Sequence, residues 1–401
     1  MSVVVNILLY IGVLLVLLLA WINGANNAGN VVGVVVGARG ISVKKALLLA
    51  FIFEVTGAML LGHYISTTIM SGIIDSREIG GDMLVIGVVT IAFSAVFWMF
   101  IATFLRIPLS VTQAIVGGIT GFGLKALGFN GIYWLKLIII ISSWPATLLI
   151  SILLSLLLYR VHVKLISHIK NTRSLLLVFS ILLYTCIAIT LLIVMSNVYS
   201  EVYSLFSYSL ITPLLIVIPY VTILKRNTRR DYYEAKSILY KHLLLVTSSL
   251  AAFSHGAHDV GGSAGLLQLL VNQITNNENT LEAEVSRLIL LVSGFTIALG
   301  MLSWGYRVLG TLGERITPLT LESGFIAQLS SALTILLVTR LSLPSSTTLA
   351  ITGAIVGVGL TRGKNYINYK TIIRILTTWI VSFPATLLFS ISIFQLLKSY
   401  F

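Results

Sequence analysis

Long apolar runs alternate with short polar connections from one end of the chain to the other. A hydrocarbon core about 30 Å thick needs roughly 20 apolar residues per helix. On that measure the pattern predicts about twelve crossings: 3–37, 43–65, 83–104, 107–126, 132–158, 175–196, 203–224, 238–275, 286–308, 323–341, 343–360 and 371–397. Four of them carry polar, glycine-rich or proline-bearing clusters. These are "WINGANNAGN" (Trp21 to Asn30), "RIPLSVTQAIVGG" (Arg106 to Gly118), "FSHGAHDVGGSAG" (Phe253 to Gly265) and "SLPSSTTLAITGA" (Ser342 to Ala354). Each cluster is expected to interrupt its helix, and unwound backbone at membrane depth survives only where protein or a watery cavity surrounds it.

The clusters come in two pairs, and other segments echo in the same order. "GANNAGN" pairs with "GAHDVGG", "GAMLLG" with "GMLSWG", "IPLSVTQAIVGGITGFGL" with "LPSSTTLAITGAIVGVGL", and "PATLLIS" with "PATLLFS", at offsets of 232, 243, 236 and 239 residues. An internal duplication is therefore expected. Its units are a first transmembrane repeat over 1–158, a connecting unit of basic loops and two spans over 159–237, and a second repeat over 238–401.

Composition narrows the class. With 57% hydrophobic and 10% charged residues and a mean hydropathy of +1.01, the chain reads as an all-α integral membrane protein with no room for a soluble domain. No Lys or Arg precedes Arg39, so the first run reads as a retained span rather than a secretory signal. The single cysteine, Cys186, excludes an intrachain disulfide and a thiol metal cluster. The net charge of +13 is a matter of topology rather than of nucleic-acid binding, because twenty of the 26 Lys and Arg residues fall on alternate connections. Those connections are expected in the cytoplasm. The acidic loops "DSREIGGD" and "NNENTLEAE" then lie outside, both termini are extracytoplasmic, and the two repeats are inverted relative to each other.

Inverted-repeat membrane proteins use broken helices to aim N-terminal N–H groups at a central anion. Candidate binding side chains here are Asn26, Asn27 and Asn30 in the first cluster and His258, Asp259 and Ser263 in the third. Pro108 and Pro344 suit the first turn of a helix. Beside that turn lie the hydroxyls of Ser110, Thr112, Ser345, Ser346, Thr347 and Thr348. Glu54, in mid-span, is the sharpest single residue, since an acid there is costly and usually faces a transport pathway. No motif nominates a catalytic residue or a cofactor, so an enzyme is not expected.

Together these segments resemble the inorganic phosphate transporter (PiT) family of ion-coupled symporters. The residues that carry the resemblance are "GANNAGN", "LLLAFIFEVTGAMLLG", "IPLSVTQAIVGG", "SHGAHDVGGSAG", "GFIAQLSS" and "LPSSTTLAITGAIVGVGL". It implies a homodimeric plasma-membrane carrier, in contact with lipid, that imports phosphate in symport with sodium or protons by alternating access. It assigns substrate binding to Asn26, Asn27, Asn30, Ser110, Thr112, His258, Asp259, Ser263, Ser346 and Thr347, with His255 matching the second motif. Cation binding or coupling falls to Glu54, Asp259, Asn27, Gln328 and His258, with sodium at Asn26, Glu54 and Asp259.

Several positions depart from the family pattern. Asn27 stands for the usual Asp, His258 for Asn, Gln328 for the second-half Glu, and Gln113 and Leu349 for the His that often closes each tip. The site is thus expected to carry two acids fewer and to bind fewer sodium ions, or to use proton coupling through His258. A sulfate or other oxyanion permease of the same fold is the alternative. A channel fits less well, because a channel normally builds one continuous pore.

Overall fold

The computed structural model describes residues 3–75, 79–105, 107, 109–196, 202–227, 231–275, 286–309 and 316–399. Thirteen α-helices appear among them. In chain order they are α1 (Val3–Gly37), α2 (Val43–Leu61), α3 (His63–Ser71), α4 (Gly81–Phe104), α5 (Val111–Ala126), α6 (Trp134–Ser167), α7 (Thr172–Met195), α8 (Val202–Asn227), α9 (Tyr232–Ile274), α10 (Arg287–Trp304), α11 (Leu321–Arg340), α12 (Thr347–Arg362) and α13 (Tyr369–Lys398). Nine described helices are long and apolar enough to cross a membrane. A tenth span results if α2 and α3, bent by 60° at Gly62, count as one. The fold is that of an all-α, multi-pass membrane protein.

Each expected crossing contains helix, but two of the four expected interruptions are absent. α1 and α9 run without a break through "WINGANNAGN" and "FSHGAHDVGGSAG". A glycine inside a helix costs about 1 kcal/mol, whereas backbone groups freed inside a bilayer cost several kcal/mol each. The helices therefore stay wound, and their glycines serve close approach instead. At Gly24 a Cβ would land on the carbonyl oxygen of Ile297, and at Gly300 on that of Trp21, so α1 and α10 cross backbone to backbone. The same arrangement recurs where Gly57 of α2 meets Phe253 and Gly256 of α9 meets Glu54.

The second pair of clusters does interrupt the helices. α5 begins behind the extended N-cap Ser110 and α12 behind the extended N-cap Ser346; after α11 the chain turns at Leu341 and Ser342 and stays outside any helix over 343–346. α5 and α12 have 16 residues each, or about 24 Å of helix, less than the hydrocarbon thickness. Each packs back on the helix before it, α5 on α4 and α12 on α11, giving two hairpins with unwound tips. Pro344 lies in the extended tip, two residues before the N-cap Ser346, not in the first turn. Arg106 and Pro108 lie outside the described residues.

Packing follows the expected internal correspondence. α1 rests on α10 as α9 rests on α2, α1 on α4 as α9 on α11, and α5 on α13 as α12 on α6. Small residues make the last two contacts close: Gly117 and Gly121 meet Phe383 and Leu387, and Gly353 and Gly357 meet Leu148 and Ile152. α7 and α8 pack on each other, and α7 leans on α9 through Phe179, Leu239 and Leu243. Their outer faces, with Leu177, Ile181, Leu215 and Ile218, are exposed for lipid. α6 extends to Ser167 and α9 starts at Tyr232, so the connecting unit drawn at 159 and 237 cuts both helices. Its natural limits are the helix ends.

The crossings give a first test. Gly24→Ala and Gly300→Ala should each lower the thermal unfolding midpoint of the purified protein, because such overpacking typically costs about 1–3 kcal/mol. Gly80→Ala, placed where a Cβ meets nothing within 4 Å, should leave the midpoint unchanged.

Candidate substrate and ion site

Four asparagines, Asn23, Asn26, Asn27 and Asn30, follow one face of α1 at helical spacing and are all buried. Asn26 holds the first tip. Its amide donates to the Thr103 hydroxyl at 2.9 Å and to the Ile107 carbonyl at 3.1 Å, and its oxygen accepts from the Leu109 N–H at 2.9 Å. Asn27 donates to Asn23 at 2.6 Å and to the Asp259 carboxylate at 3.3 Å. Asn30 donates to the Asn27 oxygen at 2.5 Å and to the Thr348 hydroxyl at 2.9 Å. Thr348 in turn donates toward the Leu109 carbonyl at 3.2 Å. One hydroxyl in the first turn of α12 thus joins the second tip to the first and to α1.

The helices leaving the tips are capped by the expected serines. Ser110 accepts from the Gln113 N–H at 3.4 Å and Ser346 from the Leu349 N–H at 3.3 Å. N-terminal N–H groups of α5 and α12 therefore converge on the tip region, where helix N-termini favour an anion. Thr112 and Thr347 are buried in the same first turns, and Thr347 contacts Asp259. Gln113, one residue beyond Thr112, is fully buried with neither amide atom bonded. The space lined by Leu109, Ser110, Ser346, Thr348, Leu349, Ile375 and Trp379 measures about 10 Å³, little more than one water molecule occupies.

Glu54, His255 and Asp259 form a second buried group across α2 and α9. His255 Nδ1 lies 2.7 Å from Glu54 Oε1, and its Nε2 lies 3.2 Å from Asp259 Oδ2. Among the described residues, the far oxygens, Glu54 Oε2 and Asp259 Oδ1, have no hydrogen-bond donor, and neither do Asn30 Oδ1 and Gln328 Oε1. Buried acceptors without donors call for an explanation, and oxygen atoms of this kind are the ligands that hard cations take.

Not every expected residue joins these groups. Gln328 donates to the Val31 carbonyl at 2.8 Å and docks α11 on α1. It sits on α11, which corresponds to α4, and so is not the counterpart of Glu54 on α2. Ser263 turns back on its own helix, toward the Val260 carbonyl at 3.2 Å. Asn26 spends its amide hydrogens on Thr103 and the Ile107 carbonyl, and its oxygen accepts from the Leu109 N–H. His258 faces Thr339 and Ser345 rather than open space. Asn23, Thr103 and Thr339 went unremarked in the sequence. Asn23 was signalled by its spacing of four from Asn27, and the two threonines by the offset of 236 that relates the tips.

Buried amides, acids and two convergent helix N-termini inside an all-α membrane bundle define the class of carriers for small anions, and comparison with known proteins makes the class specific. The model of the phosphate transporter family matches residues 23–390. A candidate phosphate permease of Thermococcus kodakarensis is 32% identical over 94% of this chain and 95% of its own. The chloroplastic inorganic phosphate transporter 2-1 of Arabidopsis thaliana is 26% identical over 91% of this chain and 68% of its own. A solved structure described as the sodium-dependent phosphate transporter superposes with a TM-score of 0.93 at 30% identity, over 98% of this chain and all of that one. This chain belongs to the phosphate transporter family.

The link between the tips is directly testable. Thr348→Val keeps the side-chain shape but takes one partner from the Asn30 amide and the hydroxyl from the Leu109 carbonyl, a loss of about 1–3 kcal/mol, and should lower the unfolding midpoint. Thr361→Val, which removes a hydroxyl bonded within its own helix, should not.

Proposed function

We propose that the protein imports inorganic phosphate in symport with cations by alternating access. The observation that carries this reading is the meeting of two capped helix N-termini at buried tips that Thr348 joins across the molecule. Free N–H groups and hydroxyls at such a point suit a tetrahedral oxyanion. With about 10 Å³ between the tips, phosphate can enter only if they separate, as carriers that expose a site alternately require. The repeated packing of the halves supports rocking of one inverted repeat against the other. Ser110, Thr112, Ser346 and Thr347 are the hydroxyls best placed for the anion, with Asn27 and Asn30 behind them.

Sodium fits the unpartnered oxygens of Glu54, Asp259 and Asn30, and sodium dependence is the property for which the structural neighbour is described. A proton is the second reading, favoured by His255. With a proton on each ring nitrogen, the imidazole offers a donor to each acid and stands between them as an internal cation. The distribution of basic residues supports an orientation with both termini outside. The protein is read as a homodimer in a plasma membrane, and as a carrier rather than an enzyme.

The test is uptake of labelled phosphate by proteoliposomes under a sodium gradient, a proton gradient or neither, with sulfate in excess as competitor. The expected result is accumulation of phosphate that one gradient drives and sulfate does not suppress. Accumulation of sulfate in place of phosphate would transfer the same fold to another oxyanion. Glu54→Gln, which keeps the shape but not the charge, should cut gradient-driven accumulation at least tenfold while phosphate exchange persists.

A further inference from the structure

His258 stands at the position in α9 that Asn26 holds in α1, and two of its contacts repeat two of the hydrogen bonds of Asn26. Asn26 accepts from the N–H of Leu109 in the first tip and donates to Thr103 on α4, whose hydroxyl donates to the Met99 carbonyl at 2.8 Å. His258 Nε2 accepts from the N–H of Ser345 in the second tip at 3.1 Å. Its Nδ1 lies 2.8 Å from Thr339 on α11, whose hydroxyl donates to the Ile335 carbonyl at 2.7 Å. Leu109 and Ser345, Thr103 and Thr339, and Met99 and Ile335 are each separated by 236 residues, the offset that relates the tips.

We infer that His258 is a positioning residue that latches the second tip, its ring holding the Ser345 N–H on one side and Thr339 on the other. The bonds select one tautomer. The Thr339 hydroxyl spends its hydrogen on Ile335 and can only accept from Nδ1–H, while Nε2 needs its lone pair for the Ser345 N–H. A proton on Nε2 could reach only the Ser345 carbonyl, 3.2 Å away, and would orphan a buried N–H. The other acid–base groups near this ring are Asp259 and His255 on its own helix and Glu54 on α2. The ring is fully buried, and the tip is held further by Trp144 Nε1 donating to the Pro344 carbonyl at 2.9 Å and by Thr147 against the Ser345 hydroxyl at 2.6 Å. Imidazole and amide thus perform one task, a donor and an acceptor presented from the same ring or plane. This is why His can stand where the first half uses Asn.

The transport arm of the test rests on the phosphate-carrier reading; the exchange arm does not. In proteoliposomes, His258→Gln, which keeps one donor and one acceptor, should retain phosphate uptake within about threefold. His258→Leu, which keeps neither, should lower uptake at least tenfold. Hydrogen–deuterium exchange of the purified protein, read at the peptide containing Ser345, should speed up roughly tenfold in His258→Leu and little in His258→Gln. Tip exchange and uptake in His258→Leu equal to the parent's, or tip exchange in His258→Gln as fast as in His258→Leu, would overturn the inference. Absence of phosphate uptake by the parent would overturn the carrier reading while leaving the exchange comparison to decide the latch.

Discussion

Backbone that leaves a helix inside a bilayer must find partners within the protein, and the rest of this structure depends on how the two tips meet that demand. Asn26 satisfies the first tip and His258 the second, each by accepting one tip N–H and donating to a threonine on the preceding hairpin helix. Because those two bonds are made from long, unbroken helices, the tips can be unwound without the helices that support them being so. The N-termini of α5 and α12 then lie at the tips, and the proposed anion site rests on that geometry.

The same constraint explains why glycine-rich sequence has opposite consequences in the two pairs of clusters. In α1 and α9 the glycines allow α10 and α2 to approach backbone to backbone, which brings Glu54 under His255 and Asp259. In α5 and α12 glycines at 117, 121, 353 and 357 let each short helix lie against α13 or α6. Close crossings keep the acids dry and close together, and a buried pair of acids is tolerable only with a cationic partner or a proton between them. The imidazole of His255 occupies that place.

Much of this was legible in the sequence. Apolar run lengths marked each helix, and four ordered echoes marked the correspondence that the packing repeats. The structure buries Asn27, Asp259, Glu54, Ser110 and Ser346, with Asn27 beside Asp259 and the two serines capping α5 and α12. What the sequence hid was whether a polar cluster breaks a helix or merely thins it. "GANNAGN" and "LPSSTT" both carry residues that disfavour helices, and the difference lies in what packs against them. His258 illustrates a second limit. Its usual pKa range suggested a proton carrier, and only its bonds to Ser345 and Thr339 reveal the work of an amide. Gln328 shows a third, since its place on α11 rather than α10 separates it from the acids it was expected to join.

The central claim is that the anion sits between the two tips, touched from both halves of the chain. Site-directed labelling tests it most directly, because Cys186 is the lone native thiol and is buried. Ser110→Cys and Ser346→Cys, each made in a Cys186→Ser background, would be exposed to a small thiol reagent with and without phosphate. The account predicts that phosphate slows labelling at both positions over the same range of concentration. Protection at one tip alone, or at neither, would contradict it.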